Sequence, residues 1–314
     1  MKKKIIIVSI LLVLVLLTII LAVQEDTKND EKFNIVTSFY PMYIATLNIT
    51  DGIDDVRVAN LTSEVSGCIH DYVLTTTELV KLTKADVLVV NGAGMESFMD
   101  KIITNFNSLN IIDASEDIEL IYEHCEESED ENKSENMHEH HDHNHEVNSH
   151  VFVSVRNHIK QVENICSKLV KIDYKNKDKY EENTKIYIEK LKVLEKDIIE
   201  NIKSIKNTNI ITFHNSFEYF AQEYGLNIIE VIEKEHGEMP SAGELARIIQ
   251  SAKMSGVNVI FVEPEYNVKT VSSIAKEIGA KIYVLNPVTN GEKNKDEYLN
   301  IMRKNLNVLK EALS

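Results

Sequence analysis

The stretch from Tyr174 to Lys206 contains neither glycine nor proline. Apolar residues recur in it among charged ones, at spacings that place them along one face of a helix. They are Ile186, Ile188, Leu191, Leu194, Ile198, Ile199 and Ile202. Some thirty helical residues at 1.5 Å each extend roughly 45 Å, which is long enough to support two lobes. The stretch therefore predicts one long amphipathic helix that joins two parts of the fold.

Strand and helix patterns alternate on both sides of this stretch. The predicted strands are 33–39, 56–59, 85–90, 110–113, 210–213, 227–232, 257–262 and 281–285. The predicted helices are 41–48, a helix from the 75–78 capping box through 82, one after the 91–94 turn, 157–172, 216–224, 242–253, 269–278 and 295–313. Such alternation is typical of βαβ units with a parallel sheet. We predict an α/β fold of two lobes, each a parallel sheet flanked by helices, joined by one long rigid helix, with the ligand site in the cleft.

The predicted division of the chain follows from these patterns. A signal peptide or signal anchor with a polar tether occupies 1–31, and the N-terminal lobe occupies 32–173. The linking helix covers 174–206, and the C-terminal lobe covers 207–314. An acidic, histidine-rich loop at 116–149 interrupts the first lobe.

The N-terminus has three lysines followed by the almost wholly apolar run Ile5–Val23. A basic start before an apolar run is an export signal, and this run approaches the ~20 residues that span a bilayer. Gln24 makes a poor cleavage site, and no cysteine follows the run for lipid attachment. The lysines are expected to stay cytoplasmic. We expect a signal anchor at the outer face of the cytoplasmic membrane, or else cleavage to a secreted or periplasmic form.

Six of the eleven histidines lie between Met137 and Arg156. Five of them, in a polar run, are His138, His140, His141, His143 and His145. Thirteen acidic residues and one lysine between Glu116 and Glu146 account for most of the net charge of −16. Acidic runs alone are typical of solvated loops, whereas interleaved histidines favour metal binding. We expect an accessory metal-capturing loop, and no nucleic-acid partner because no basic patch is present.

Three further histidines stand at junctions between predicted elements. His70 lies in the loop after the second strand, His150 lies where the insertion rejoins the fold, and His214 directly follows strand 210–213. Three imidazoles meet most of the tetrahedral demand of zinc and disfavour calcium and magnesium. The three cysteines form no C-x-x-C pair, so a thiolate zinc site is not expected. A receptor and a zinc enzyme both remain open, because three histidines with one open position also activate water.

Several segments carry a family resemblance. They are GCIHDYVLTTTELVKLTKADVLVVNGAGMESFM, HVFVSVRNHIKQVENI, FHNSFEYFAQEYGL, EHGEMPSAGELARII and IFVEPEYNVKTVSSIAKEIGAKIYVLNPV. In this order they resemble the metal-binding solute-binding proteins of ABC transporters, in the zinc-uptake branch. The resemblance runs from about residue 33 to the end, although Ser149 and Val155 replace prolines expected in that family.

The resemblance implies metal ligands at His70, His150 and His214. Histidine at the third position is typical of zinc members, whereas manganese members carry glutamate, a harder ligand. The family's fourth position, usually an acid, matches Asn286 here. Water, Glu263 or Glu265 are the alternatives for that position.

The resemblance also implies a function. It predicts a non-catalytic, monomeric extracellular receptor that binds zinc as its transported ligand with high affinity and delivers it to an ABC permease. A manganese receptor of the same class is the alternative. A zinc-dependent hydrolase is less favoured, since no His-Glu-x-x-His motif is present. A surface zinc buffer or adhesin is also less favoured, although the sequence does not separate it from the receptor. Outside the site, His158 is predicted to lie at the surface and Cys166 to be buried.

Overall fold

The computed structural model describes residues 32–62, 69, 72–104, 106, 109–122, 147–233, 240–266 and 268–314. The strands are β1 (Phe33–Thr37), β2 (Val56–Asn60), β3 (Val87–Val90), β4 (Asn110–Asp113), β5 (Asn209–Thr212), β6 (Asn227–Val231), β7 (Val259–Val262) and β8 (Lys281–Val284). The helices are α1 (Tyr40–Ile49), α2 (Thr76–Thr83), α3 (Asp100–Ile103), α4 (Val155–Ile172), α5 (Lys177–Ile202), α6 (Glu218–Tyr224), α7 (Ala242–Met254), α8 (Val268–Ile278) and α9 (Glu297–Leu313).

The strands form two parallel sheets with the same order. The first is β2-β1-β3-β4 and the second is β6-β5-β7-β8. In each sheet the chain builds first to one side of the starting strand and then to the other. Ligand crevices of such sheets lie at the carboxyl ends of the strands, where the order reverses. The predicted two-lobe α/β fold is confirmed, and its reversal points fall beside β1 and β5.

The central strands follow from apolar runs that are buried on both faces. All four residues of β3 and of β7 are buried, as expected for parallel strands covered by helices. The capping box predicted at Thr75 and Glu78 is present, and it starts α2.

The long linking segment consists of a short turn, Tyr174–Asn176, followed by α5. Its end comes four residues earlier than predicted, at Ile202. The Ser204 hydroxyl donates to the Asn201 carbonyl there, and such local side-chain bonds compete with helix continuation. The buried face also differs from the prediction in one respect, because Ile186 is exposed while Tyr187 is buried. Helix α5 packs against α1, α4 and α9, so it supports elements from both halves of the chain.

The C-terminal segment returns to the first lobe before α9 begins. The hydroxyl of Tyr40 donates to the Glu292 carbonyl at 2.6 Å, and Nδ2 of Asn48 donates to the Lys295 carbonyl at 2.7 Å. Lys295 also pairs with Asp51. These contacts fasten the end of the chain to α1, although the sequence assigns 207–314 to the second lobe.

The prediction of His158 as a surface residue is wrong. Its side chain is fully buried on α4, and its ring stacks on Tyr298 with centroids 3.9 Å apart. Nε2 of His158 lies 3.3 Å from the hydroxyl of Tyr187. Burial lowers the pKa of His158 to about 3. Its spacing from Val162 and Ile165 places His158 on the apolar face of the helix. The surface prediction missed this because histidine is a polar residue type. Cys166 is buried, as predicted.

The buried His158 predicts acid sensitivity of the fold. The folded protein keeps this ring neutral, whereas the unfolded chain binds a proton near the reference pKa of about 6.5. The neutral His158 ring therefore contributes to the free energy of unfolding, and this contribution is complete above pH 6.5. It is lost at about 1.4 kcal/mol per pH unit as the pH falls toward 3. We expect His158→Phe, which keeps a ring against Tyr298, to remove this dependence in urea unfolding between pH 7 and 4.5.

A control with the opposite sign is available in Glu96. Burial raises the pKa of this carboxyl to about 7, so its contribution is complete below pH 4.5 and is lost as the pH rises to about 7. Glu96→Gln should therefore change the slope of the free energy of unfolding against pH in the opposite direction to His158→Phe. A gap between wild type and His158→Phe that stays constant with pH would contradict the assignment.

Within the described residues, no helix is both long enough and apolar enough to cross a membrane. Several predicted features lie outside those residues. They are the signal segment 1–31, His70, and the loop histidines His138, His140, His141, His143 and His145.

Candidate metal centre

His150 and His214 lie side by side although they come from different lobes. Their ring centroids are 5.2 Å apart and the rings are nearly perpendicular, at 79°. His150 precedes the short helical turn Val151–Val153, and His214 follows Phe213 at the carboxyl end of β5. His150 is buried, and both ring nitrogens of His214 are shielded from solvent. The pair lies at one of the reversal points where the fold is expected to hold a ligand.

The third predicted ligand, His70, lies outside the described residues, but Ile69 and Tyr72, on either side of it in sequence, are described. Ile69 is buried in the core, and its carbonyl accepts from the backbone N–H of Tyr72 at 3.0 Å. The Tyr72 hydroxyl donates to Glu78 at 2.6 Å. Among the described histidines, cysteines and acids, no group of three is placed to hold a metal ion. A metal site that includes His150 and His214 would therefore need a ligand beyond this set of described residues.

Two acids, Glu263 and Glu265, follow the carboxyl end of β7, as His214 follows the carboxyl end of β5 in the same sheet. Glu263 is buried, and its Oε1 accepts from the Ser216 hydroxyl at 2.6 Å. Its Oε2 is buried without a hydrogen-bond partner among the described residues. Burial raises the pKa of Glu263 to about 8, with Glu265 and Glu233 adding to the effect. Oε1 of Glu265 accepts from Asn290 at 2.6 Å.

Asn286 follows β8 and holds a turn. Its Oδ1 accepts from the backbone N–H of Val288 at 2.7 Å. Its own backbone bonds twice to the side chain of Asn305, at 2.9 and 2.7 Å. The one side-chain oxygen that Asn286 offers to a metal therefore already accepts a hydrogen bond.

A family model described as zinc-uptake complex component A, periplasmic, matches residues 35–312. The chain belongs to this family. It is 35% identical over 294 residues to the high-affinity zinc uptake system protein ZnuA of Bacillus subtilis, covering 92% of this chain and 89% of that protein. It is 29% identical over 312 residues to the zinc-binding lipoprotein AdcA of Streptococcus pneumoniae, covering 97% of this chain but 60% of AdcA. The predicted family resemblance is thus confirmed.

A solved structure agrees with the fold of this zinc-uptake component. The Zn(II)-bound ZnuA-like domain of S. pneumoniae AdcA superposes with a TM-score of 0.71 at 28% identity. The match covers 90% of this chain and 99% of that domain. The donor set on hand is compatible with such an ion, because neutral imidazole is a common zinc ligand.

A buried polar network that the sequence did not reveal supports the residue before His150. Glu96 accepts from the Ser38 hydroxyl at 2.7 Å and from the backbone N–H groups of Asn91 and Gly92 at 2.7 and 3.0 Å. Nδ2 of Asn91 donates to the Ser149 carbonyl at 3.0 Å. The network connects the ends of β1 and β3 to the His150 segment. The predicted 91–94 turn was its only sequence signal.

Glycine is required in that turn. Gly92 has a φ of +79°, and an added Cβ would lie 2.0 Å from Oδ1 of Asp113. A side chain at this position would therefore be both strained and in collision with a neighbouring carboxylate.

Proposed function

We propose that this protein is an extracytoplasmic receptor that binds zinc with high affinity and delivers it to an ABC-type permease. The observation that carries the proposal is the contact between His150 and His214, whose rings are brought from two lobes to a separation of 5.2 Å. Ligands contributed by both lobes suit reversible capture of an ion between them. The role is binding and delivery, with no catalytic step and one chain acting alone.

The proposed ligands are His70, His150 and His214. For the fourth position we favour water, because Oδ1 of Asn286 already accepts from Val288 and no described acid forms a group of three with His150 and His214. Glu263 has an oxygen without a partner in the described part of the chain, but Glu263 or Glu265 would have to move toward the two histidines to serve as the ligand. Carboxylates and water are both ordinary zinc ligands.

Zinc is proposed over manganese because the donor set is dominated by imidazoles. Manganese favours carboxylate and water oxygens, whereas imidazole suits zinc. We expect the purified protein to retain one tightly held zinc ion from an equimolar zinc and manganese mixture. The variant with alanine at 70, 150 and 214 should lose that ion in metal analysis. Preferential retention of manganese, or an unchanged zinc content in the variant, would contradict the proposal.

The acidic, histidine-rich loop is proposed to gather zinc near the site. An antiparallel bridge between Tyr122 and Val147 joins the described residues on either side of it, and Val147 is three residues before His150. The loop thus leaves and rejoins the fold close to the candidate metal centre. Its acids and imidazoles would hold further ions weakly.

Deleting Glu126–Glu146 should remove only the weak sites. We expect zinc titration calorimetry to show the same tight step as in the wild type and a loss of the later, weaker heat. The deletion should be tolerated, because residues 123–125 would then need only to connect Tyr122 to its bridge partner Val147. Loss of the tight step would show that the loop, and not the cleft, holds the main site.

Location outside the cytoplasm is proposed from the export signal at the N-terminus and from the periplasmic description of the family. Retention by an uncleaved signal anchor at Ile5–Val23 is the form of attachment that we favour. Such an anchor would keep the receptor within reach of its permease.

A further inference from the structure

Asn148 is held rigidly two residues before His150. It is 2% exposed. Its backbone N–H donates to the Ile121 carbonyl at 2.9 Å, and its carbonyl accepts from the Tyr219 hydroxyl at 2.8 Å. The Tyr219 oxygen in turn accepts from the N–H of Ile121 at 3.0 Å. With its backbone bonded on both sides, Asn148 projects its side chain from a fixed position.

The hydrogen-bond partners decide the orientation of the Asn148 amide. Nδ2 lies 2.9 Å from the Asn215 carbonyl oxygen and 2.9 Å from Oε2 of Glu218. A carbonyl oxygen only accepts, so the amide NH₂ group must face Asn215 and Glu218. Oδ1 therefore faces His150, at 3.0 Å from its backbone nitrogen and 3.1 Å from its ring Nδ1.

This orientation determines where the proton of His150 sits. Oδ1 of Asn148 is an acceptor, so Nδ1 of a neutral His150 must carry the hydrogen. The lone pair is then on Nε2. In metal sites, the hydrogen bond at one ring nitrogen sets which nitrogen is left for the ion.

We infer that Asn148 is a positioning residue for zinc binding, which rests on the proposed function. Its Oδ1 holds His150 as the Nδ1–H tautomer, so that Nε2 is the nitrogen that binds the ion. Its Nδ2 ties the same residue to Asn215, which directly follows His214. One amide thus links the two proposed ligand segments across the lobes. The carboxylate of Glu218 accepts a second hydrogen bond from the same Nδ2 and so helps to hold the amide in place.

The test compares Asn148→Leu with a matched control, Asn183→Leu, in the full-length chain. Asn183 also donates through Nδ2 to two backbone carbonyls, those of Ile49 and Asp51, at 3.1 and 2.8 Å. These bonds lie between α5 and the end of α1, outside the candidate metal centre. The control therefore reports the cost of losing a half-buried, hydrogen-bonded asparagine without disturbing His150.

Two quantities are measured. Histidine-selective ¹⁵N NMR of the metal-free chain, assigned with a His150→Gln variant, should show His150 protonated at Nδ1 in the wild type and in Asn183→Leu. In Asn148→Leu this signature should be lost. Zinc affinity should fall about 10- to 100-fold in Asn148→Leu and by less than about threefold in the control, as expected for a residue that orients a ligand.

A second variant guards against misfolding. Asn148→Asp keeps an acceptor for Nδ1 of His150 but loses the donors to Asn215, so the Nδ1–H signature should persist. A wild-type His150 protonated at Nε2, loss of the signature in Asn148→Asp, or unchanged zinc affinity in a folded Asn148→Leu would overturn the inference. If the wild type shows the signature but binds no zinc, the proposed function fails while the tautomer assignment stands.

Discussion

Replacing His214 with alanine should weaken zinc binding by more than about 100-fold. Loss of a group that merely orients a ligand costs about 10- to 100-fold, so loss of a coordinating imidazole should cost more. His150 would remain, but the His214 ring, whose centroid lies 5.2 Å from that of His150, would be replaced by empty space. Competition titration against a zinc-chelating dye measures this range of affinities.

His158→Phe is the matched control for that titration. It also removes a histidine, but one that lies on α4, stacks on Tyr298 of α9 and contacts Tyr187 of α5. Its zinc affinity should equal that of the wild type at pH 7. Equal losses in both variants would indicate a general effect on folding, and no loss in His214→Ala would remove His214 from the site.

Replacing Tyr298 with alanine should destabilise the protein by about 3–5 kcal/mol, the range for truncating a large buried aromatic side chain. Tyr298 is fully buried on α9, and its ring stacks on His158 of α4. Its hydroxyl donates to the Phe152 carbonyl at 2.8 Å, two residues beyond His150. Truncation would leave a cavity among three helices and release the segment that carries a candidate ligand.

Two companion variants separate the contributions in urea unfolding. Tyr298→Phe keeps the ring and loses only the hydrogen bond, so it should cost about 0.5–1.5 kcal/mol. Tyr174→Ala removes an exposed tyrosine and should stay within about 0.5 kcal/mol of the wild type. A loss below about 1 kcal/mol for Tyr298→Ala would mean that α9 is not a structural support of the His150 segment.

The fold was largely predictable because its signals are local. Buried strands such as β3 and β7 are continuous apolar runs, and Thr75 with Glu78 marks a helix start in four residues. The errors arose where tertiary contacts override local pattern. His158 is polar by type but occupies an apolar helix face, and Tyr187 replaces Ile186 on the buried side of α5.

The candidate site was only partly predictable. The family resemblance placed His150 and His214 in one ligand set, and the structure brings their rings together. Their role as ligands remains a prediction. The amide of Asn148 was not foreseen. Its significance depends on Asn215 and Glu218, which are 67 and 70 residues away in sequence. Such pairings arise from the packing of the two lobes and leave no periodic pattern in the sequence.

The most direct test is a crystal structure of the zinc-loaded protein with anomalous data collected at the zinc edge. We expect the strongest anomalous peak to lie about 2.0–2.1 Å from one ring nitrogen each of His70, His150 and His214, with Nε2 as the binding nitrogen of His150. The same map would identify the fourth ligand. A strongest peak bound only by histidines from 138–145, with none between His150 and His214, would contradict a metal site in the cleft.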